Sequence, residues 1–401
     1  MSGAQEERSE DDPWGRQRSR AACSLDGRGS AVAGNRGVSA VLSRDARWKE
    51  DPFRAMLKKV APGTDLYEGL ENIIRAKTGA LLVVGDSEKV LSLCSGGFRL
   101  DTEFDPSRVY ELAKMDGAIV LSSDLKRIVY ANTQLIPDPN IPTSETGTRH
   151  RTAQRMAKQT GNLVIAISQK RNIVTLYKDN LKYVMHDIGV VLAKANQALQ
   201  TLENYKGVLN RALSNLSVLE FEDVVTLFEV VVVIQRMEMV RRVAEEIERY
   251  ICELGTEGRL VKMQLEELMV DVEDEGLYVI NDYMVEAKDR TAENINAEIS
   301  DWTAEDLLDL AVIGRALGHA GSMNTLDIPV SPRGYRILSK IPRLPYAVIE
   351  NLVGRFGNLQ AILQASIEEL DEVEGIGEVR ARAIMEGLRR LRQQILLDRH
   401  I

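Results

Sequence analysis

The spacing of apolar positions predicts an α/β domain in the first half of the chain. Short apolar runs suited to buried strands occur at 80–86, 117–121, 128–131, 163–168 and 173–177. Segments with helical spacing lie between them, at 66–74, 105–113 and 151–160. Apolar strands that alternate with helices are typical of a sheet covered by helices. We therefore predict an α/β domain over residues 55–186.

The pattern changes at about residue 187, after which apolar residues recur every three or four positions with charges between them. Met239, Val240, Val243 and Ile247 show this spacing, and the longest such segments are 190–213 and 221–254. The pattern predicts a helical bundle over residues 187–328. It carries no cluster of His, Cys or carboxylates at ligand spacing, so we expect it to be a spacer or an assembly element.

The two ends of the chain differ from this central pattern. Residues 1–54 are rich in Gly, Ser, Arg and Asp with little periodicity, which predicts a disordered tail, with Met56 as an alternative start. Residues 329–401 contain an internal repeat. The segment 341–345 precedes a helical pattern at 347–353, and the segment 373–377 precedes another at 379–388. The chain is therefore predicted to be multidomain.

Charge and cysteine content limit the classes of function. The 51 basic and 60 acidic residues give a net charge of -9, which argues against a surface that coats nucleic acid or membrane. Residues 333–399, with 11 basic and 9 acidic residues, have instead a net charge of +2. Cys23, Cys94 and Cys252 are too widely spaced for a disulfide framework or a zinc ribbon. With no signal-peptide core and no apolar run near the ~18 residues of a membrane span, we expect a cytoplasmic protein.

Gly375-Ile376-Gly377 predicts a phosphate-binding hairpin between two helices. Glycines on both sides of one apolar residue allow a tight turn whose N–H groups point outward at a helix N-terminus, and Arg380 and Arg382 follow within two turns. Glycines that merely turn the chain are the alternative. The segment resembles a helix-hairpin-helix motif, and residues 331–391 resemble the paired form found in proteins that bind branched or damaged DNA. The first copy has Pro342-Arg343-Leu344 where glycines are usual, so we expect it to pack rather than to contact DNA.

Two short segments of the α/β region suggest nucleotide chemistry. Asp116-Gly117-Ala118 begins a strand, where a carboxylate beside glycine suits a divalent cation and a close sugar hydroxyl, although an Asp capping a turn is the alternative. Arg149-His150-Arg151 follows a loop rich in Pro, Ser and Thr and opens a helix, which suits a phosphate, although a solvated basic patch is the alternative. Neither GxxxxGK[ST] nor GxGxxG occurs in the sequence.

Together with the C-terminal hairpin, these segments resemble the DNA integrity scanning diadenylate cyclases, from about residue 55 to the C-terminus. The resemblance implies condensation of two ATP molecules into cyclic di-AMP with release of two pyrophosphates. It implies that Asp116 takes the proton of the ribose 3′-hydroxyl and holds Mg²⁺ or Mn²⁺, and that Gly117 lies against the nucleoside. The implied phosphate ligands are Thr148, Arg149, His150, Arg151 and Thr152. Leu135 is implied to pack on adenine and Ser168 to contact the nucleotide.

The chemistry requires two facing cyclase domains, because each ATP attacks the other. The resemblance implies an octamer that binds branched DNA, such as a Holliday junction, and loses cyclase activity when it does. A DNA-structure binder with a silent nucleotide site is the alternative, against which the intact Asp116, Arg149 and Arg151 argue. A nuclease or ligase is disfavoured because the sequence has neither paired carboxylates at metal spacing nor a nucleophilic lysine motif.

Overall fold

A computed structural model describes residues 52–287, 290–320 and 326–398. Most of the predicted N-terminal tail lies outside the described residues. Residues 52–54, which the composition assigned to that tail, form instead the first turn of helix α1, Pro52–Lys59. Arg54 of this turn is buried and bonded to Glu248 at 3.0 Å, so the folded part begins by residue 52.

The α/β part contains one mixed sheet. Its helices are α1, α2 (Asp65–Arg75), α3 (Glu88–Leu91), α4 (Pro106–Leu112) and α5 (Thr148–Thr160). Its strands are β1 (Ala80–Val84), β2 (Cys94–Ser95), β3 (Phe98–Glu103), β4 (Ala118–Leu121), β5 (Arg127–Leu135), β6 (Leu163–Ser168), β7 (Ile173–Lys178) and β8 (Leu181–Val184). The strand order is β2-β5-β4-β1-β6-β7-β8, with β3 paired to β5. The pair β1/β4 is parallel and the other pairs are antiparallel.

The sheet is covered on both faces, which explains the uninterrupted apolar runs of its central strands. All five residues of β1 are buried. Leu82 belongs to a core cluster with Leu70 of α2, whereas its neighbour Val83 belongs to a second cluster with Met156 of α5. Side chains of a strand alternate between the two faces, so each face of β1 has its own helical cover. The predicted sheet covered by helices is confirmed.

The central part is helical. It comprises α6 (Ile188–Glu222), α7 (Leu227–Leu254), α8 (Arg259–Met269), α9 (Val272–Tyr283), α10 (Ala292–Ser300), α11 (Ala304–Leu308) and α12 (Leu310–Ala316), with a 3₁₀ turn at Gly255–Gly258. The predicted helix 221–254 is interrupted. Asp223 ends α6 in a left-handed conformation, with φ of 57°, and a capping box of Thr226 and Glu229 starts α7. The apolar periodicity of the two helices masked this break.

The C-terminal part contains two hairpins of the same backbone shape. Its helices are α13 (Tyr335–Ser339), α14 (Tyr346–Phe356), α15 (Leu359–Gln364), α16 (Ile367–Asp371) and α17 (Glu378–Asp398). We call 341–345 the first hairpin and 373–377 the second hairpin. Arg343 and Gly375 hold the same place in them, with φ of 63° and 84°. Leu344 and Ile376, one residue later, both belong to the core of this part.

Polar side chains join the central helices to the parts on either side. Besides the bond between Arg54 and Glu248, the hydroxyl of Tyr183 in β8 donates to Glu253 of α7 at 2.5 Å. At the other end, Arg333 donates to the carbonyls of Asn281 and Met284 at 2.9 and 2.8 Å. None of the helices in the described ranges combines the length and the apolar character needed to cross a membrane.

Candidate nucleotide site and nucleic-acid interface

The strand register brings the predicted nucleotide-binding segments to one edge of the sheet. Leu82 pairs with Ile119 in the parallel pair β1/β4, so the two strands begin at the same edge. The pairing of Ala80 with Ile167 brings the end of β6 to this edge, and the pairing of Ala118 with Thr133 brings the end of β5 there. Asp116, Gly117, Leu135 and Ser168, which are far apart in sequence, therefore share this edge.

The turn before β4 exposes Asp116 and brings Gly117 against the neighbouring strand. Asp116 is exposed to solvent, and Gly117 has a φ of 94°. A Cβ atom on Gly117 would lie 2.8 Å from the carbonyl carbon of Asn132 in β5. Glycine is required here both by the left-handed backbone and by this close approach. The local fold thus explains Gly117, and its predicted contact with the nucleoside stays a prediction.

The loop before α5 is hydrogen-bonded to side chains of that helix. Gln159 accepts from the backbone N–H of Asp138 at 2.8 Å, Arg155 donates to the carbonyl of Ile141 at 3.0 Å, and Lys158 donates to the carbonyl of Pro142 at 2.9 Å. Gln154 accepts from the backbone N–H of Ser144 at 3.2 Å. These bonds fix where α5 begins, although the loop itself has no regular structure.

Helix α5 begins with backbone donors that suit an anion. Its N-cap, Gly147, makes no side-chain cap, so it satisfies none of the N–H groups that lack a partner inside the first turn. The predicted helix 151–160 starts three residues earlier, at Thr148. Thr148 is exposed and Thr152 is half-buried. The segment therefore joins a positive helix end to two arginines and a histidine.

The two arginines of this segment are held differently. Nη1 of Arg149 donates to the carbonyl of Ile167 in β6 at 3.4 Å, which draws its guanidinium to the sheet edge that carries Asp116. Nη2 of Arg151 donates to the carbonyl of Thr146 at 3.0 Å, within its own loop. Of these two hydrogen bonds, the one made by Arg149 ties its helix to the sheet, whereas the one made by Arg151 stays within the loop.

His150 belongs to a partly buried polar chain. Its Nδ1 lies 3.0 Å from the hydroxyl of Tyr177, and Glu145 pairs with Lys182 at 2.6 Å. Burial lowers the pKa of His150, which Glu145 opposes only in part. Although burial opposes it, hydrogen bonds from Lys182 and Tyr177 lower the pKa of Glu145. The hydroxyl of Tyr177 therefore lies between the ring of His150 and the carboxylate of Glu145.

Leu135 and Ser168 stand at strand ends with different surroundings. Leu135 is buried in the cluster that packs against α5. Ser168 is half-buried, and its carbonyl accepts from the N–H of Asn172 at 2.9 Å. The predicted adenine contact of Leu135 and the predicted nucleotide contact of Ser168 stay predictions.

The second hairpin presents its glycines to solvent at the start of α17. Gly375 and Gly377 are exposed, whereas Ile376 is buried in the core beneath them. Arg380 folds back onto the carbonyl of Gly375, and Arg382 pairs with Glu378 at 2.5 Å. Residues two apart on a helix do not face each other, so the two predicted DNA-binding arginines lie on different sides of α17.

The first hairpin repeats the backbone hydrogen bonds of the second. The N–H of Leu344 bonds to the carbonyl of Ile341 at 3.3 Å, as that of Ile376 bonds to Val373 at 3.0 Å. Arg343, which the sequence analysis did not include among the binding residues, is exposed at the tip. The sequence repeat signalled this position. The expectation that this copy packs rather than contacts DNA rested on missing glycines, yet Arg343 adopts the required positive φ.

The described residues contain no group of three or more His, Cys, Asp or Glu side chains that could hold a metal ion. Mg²⁺ is commonly bound by one or two carboxylates together with substrate phosphates and water, rather than by a complete protein cage. A single exposed carboxylate at Asp116, at the sheet edge, fits a cation that arrives with a nucleotide. It does not fit a cation held by the protein alone.

Three families of known proteins match successive parts of the chain. Residues 67–181 match "DisA bacterial checkpoint controller nucleotide-binding", residues 185–326 match "DisA bacterial checkpoint controller linker region", and residues 358–387 match the helix-hairpin-helix motif. Among solved structures, DacA from Staphylococcus aureus aligns with a TM-score of 0.25 and 16% identity, over 35% of this chain and 88% of that one. At this TM-score the alignment indicates no shared fold over the length of this chain.

Curated relatives match nearly the whole described chain. The DNA integrity scanning protein DisA of Carboxydothermus hydrogenoformans is 61% identical over 346 residues, which are 86% of this chain and 98% of that protein. The protein of the same name from Symbiobacterium thermophilum is 60% identical over 349 residues, 87% of this chain and 98% of that one. The chain therefore belongs to the DisA family of DNA integrity scanning proteins, and its α/β part is a diadenylate cyclase domain.

Proposed function

We propose that this protein condenses two ATP molecules into cyclic di-AMP and two pyrophosphates, and that branched DNA bound at its C-terminal part suppresses the reaction. One observation carries the catalytic half of the proposal. The exposed carboxylate of Asp116 and the guanidinium of Arg149 belong to the same sheet edge, although the two residues are 33 positions apart in sequence. The reaction needs one group that accepts the proton of a hydroxyl and one cationic group that binds phosphates.

Each bond-forming step is a displacement at phosphorus. The ribose 3′-oxygen of one ATP bonds to the α-phosphorus of the other, and the bond from that phosphorus to pyrophosphate breaks. Asp116 accepts the proton of the attacking hydroxyl. Arg149, Arg151 and the first N–H groups of α5 bind the phosphates and stabilise the charge that develops on the leaving pyrophosphate.

His150 is the third side chain at this helix end. Its Nδ1 is hydrogen-bonded to the hydroxyl of Tyr177, so the ring is held in one orientation, with Nε2 as its remaining hydrogen-bonding atom. In the free protein burial favours the neutral ring, because it lowers the pKa of His150. Phosphate charge opposes that effect, so we assign His150 to phosphate binding, where a protonated Nε2 donates to an oxygen. Thr148 and Thr152 supply hydroxyl donors beside it.

A divalent cation, Mg²⁺ or Mn²⁺, would neutralise phosphate charge and polarise the α-phosphorus when it arrives with ATP. Asp116 is the residue that would hold it. The remaining ligands would come from the phosphates and water, because the described residues contain no group of three or more His, Cys, Asp or Glu side chains that could complete a protein cage.

The reaction requires two cyclase domains related by a two-fold axis. One domain contributes one Asp116 and one Arg149, whereas the product needs two attacks in opposite directions. We therefore propose that Asp116 of one subunit acts on an ATP whose phosphates are bound by the facing subunit. An octamer, in which four such pairs form, is the assembly that the family resemblance implies.

The second hairpin is the proposed DNA contact. Its exposed Gly375 and Gly377 leave the start of α17 open to a phosphate oxygen, and hairpins of this kind contact the backbone rather than the bases. Arg380 and Arg382 add positive charge on either side of the helix. Binding should therefore be independent of sequence and weakened by salt.

The test is to incubate the purified protein with ATP and Mn²⁺, alone, with a four-way DNA junction, or with a linear duplex of the same length. Chromatography then measures cyclic di-AMP and pyrophosphate. We expect one cyclic di-AMP for every two pyrophosphates, and less product with the junction than with the linear duplex.

Failure to form cyclic di-AMP without DNA would contradict the enzyme proposal and leave a DNA-structure binder with a silent nucleotide site. Product formation that is equal with both DNAs would retain the cyclase and remove the proposed response to branched DNA. The same reaction repeated with Mg²⁺ determines which cation supports turnover.

A further inference from the structure

The residue that precedes β1, Gly79, leaves room that the side chain of Arg149 fills. A Cβ atom on Gly79 would overlap Nη1 of Arg149 and lie 3.0 Å from its Cζ. It would also lie 3.2 Å from the carbonyl oxygen of Ile167, the oxygen to which Arg149 donates. The guanidinium of Arg149 therefore occupies the position that a side chain at residue 79 would take, and from there it reaches the carbonyl of Ile167 in β6.

The surroundings of Gly79 are rigid, whereas the end of the arginine is not. Gly79 adjoins β1, a fully buried strand with hydrogen-bonded neighbours on both sides. The preceding Thr78 is bonded through its N–H to the carbonyl of Ile73 at 3.2 Å. A methyl group at position 79 would therefore displace the guanidinium of Arg149 and leave the strand in place.

Backbone conformation does not require glycine at this position. Gly79 is absent from the glycines that have positive φ, in contrast to Gly117 at the start of β4. An alanine at 79 therefore suffers no backbone strain, and the remaining conflict with Ile167 is relieved by a shift of a few tenths of an ångström. The space for Arg149 is what glycine provides here.

The hydrogen bond to Ile167 uses one of the five N–H donors of the guanidinium. In the part of the chain that the structure describes, no other hydrogen bond is formed by these donors. A guanidinium anchored at one corner presents its other donors in a fixed plane, which suits two oxygens of a phosphate group. A phosphate bound by these donors would thus have a defined position relative to the sheet edge.

We propose that Gly79 is a positioning residue for ATP binding. Because it has no side chain, it leaves the space that the Arg149 guanidinium occupies at the sheet edge. This inference rests on the proposed function, in which Arg149 binds ATP phosphates. It assigns a role to a residue that contributes no functional group to the reaction.

The experiment is a double-mutant cycle between Gly79→Ala and Arg149→Lys, with Gly207→Ala as control. Gly207 lies exposed in α6, and a Cβ atom there meets nothing within 4 Å. Lysine keeps the charge but lacks the planar fork that fills the space beside Gly79. Steady-state synthesis of cyclic di-AMP is measured for all variants, together with ATP affinity by calorimetry and with binding to a four-way junction as a measure of intact folding.

We expect Gly79→Ala to lower kcat/KM by about 10- to 100-fold, the scale of an error of about 1 Å in positioning. Junction binding and the activity of Gly207→Ala should stay within about twofold of the wild-type values. In the Arg149→Lys background, Gly79→Ala should change kcat/KM by less than about twofold, since coupled residues are not additive.

Unchanged kcat/KM in Gly79→Ala would overturn the inference, as would an equal loss in the two arginine backgrounds. If the wild-type protein makes no cyclic di-AMP, the proposed function fails separately. The inference is then decided by ATP affinity, which Gly79→Ala should weaken in the wild-type background and not in Arg149→Lys.

Discussion

Arg336 of α13 and Glu220 of α6 form an ion pair in which both side chains are completely shielded from solvent. Ser217 accepts from Nη2 of the same arginine at 3.0 Å, and the hydroxyl of Tyr283 donates to Glu220 at 2.8 Å. Among the described residues, Nε and Nη1 of Arg336 have no hydrogen-bond partner. The C-terminal part is thus attached to the central helices through a buried and incompletely satisfied charge.

Replacing Arg336 by methionine should destabilise the protein strongly, because it leaves the Glu220 carboxylate buried without its counter-charge. Loss of one partner of a buried ion pair typically costs about 3–5 kcal/mol. Denaturant titration and hydrogen exchange of the C-terminal helices measure the effect. The matched control is Arg390→Met, whose ion pair with Glu386 is exposed and which should change the free energy of unfolding by less than about 1 kcal/mol. Equal effects of the two substitutions would contradict this account.

Stability should also depend on the ionisation of Asp282, which is buried beside this pair. Burial, reinforced by Glu220, raises the pKa of Asp282 to about 7, although three backbone N–H groups of residues 334–336 donate to it. The folded state therefore binds this proton more tightly than the unfolded state does. Its contribution to stability is full below pH about 4 and is lost as the pH rises through about 7.

Thermal unfolding between pH about 4.5 and 7.5 tests this for Asp282, with Asp282→Asn as the comparison. The asparagine variant keeps one acceptor oxygen for the N–H groups of Gly334 and Tyr335, loses the acceptor of the Arg336 N–H, and does not titrate. Its unfolding midpoint should depend less on pH than that of the wild-type protein over this range. Parallel curves for the two proteins would show that Asp282 does not titrate there.

Asp116→Asn should abolish cyclisation, because an amide neither accepts the 3′-hydroxyl proton nor binds a divalent cation well. Loss of a general base typically costs about 10²- to 10⁴-fold in rate. Junction binding should be unaffected. Asp179→Asn is a suitable control, since Asp179 is exposed in a left-handed turn that asparagine also tolerates. Turnover that persists in Asp116→Asn would remove Asp116 from the proposed role.

Gly377→Val should weaken binding to a four-way junction by about tenfold or more, the equivalent of one lost charge-assisted hydrogen bond. A Cβ atom at Gly377 meets nothing within 4 Å, so the substitution covers the start of α17 without a clash. Gly375→Val should have a similar effect, with added strain from its positive φ. Fluorescence anisotropy at two salt concentrations measures the affinity.

Gly354→Ala, at an exposed position of helix α14, is the control for these substitutions because a Cβ atom there also meets nothing within 4 Å. Basal synthesis of cyclic di-AMP should be unchanged in all three variants. Junction affinity that is equal in Gly377→Val and the wild-type protein would show that the second hairpin is not the contact.

The sequence predicted the central elements of the sheet well. The apolar run 163–168 coincides with β6, and the helical pattern 66–74 lies within α2. Strand β3 was missed because all its residues but one are exposed and none is buried, so it lacks both alternation and an apolar run. Thr226 and Glu229 form a recognisable capping box, which was the available signal for the start of α7.

The sequence identified the functional groups of the candidate site but not their arrangement in space. Asp116 and the segment around His150 carry functional groups, so their spacing could be recognised in one sequence. Gly79 carries none, and its importance comes from a contact with Arg149 that depends on the pairing of β1 with β6. Arg343 was set aside because a positive φ at a non-glycine residue is seldom expected from sequence.

Helix α6 is continuous from Ile188, next to the cyclase domain, to Glu222, two residues beyond the buried ion pair. Its 35 residues correspond to a length of about 52 Å. A continuous helix keeps this length, whereas a flexible linker would not. In the proposed symmetric assembly α6 would hold each DNA-binding part at a fixed distance from its cyclase domain, and a DNA would have to match the resulting spacing of the hairpins to engage several of them at once. The protein would thereby measure the distance between DNA arms as well as detect their presence.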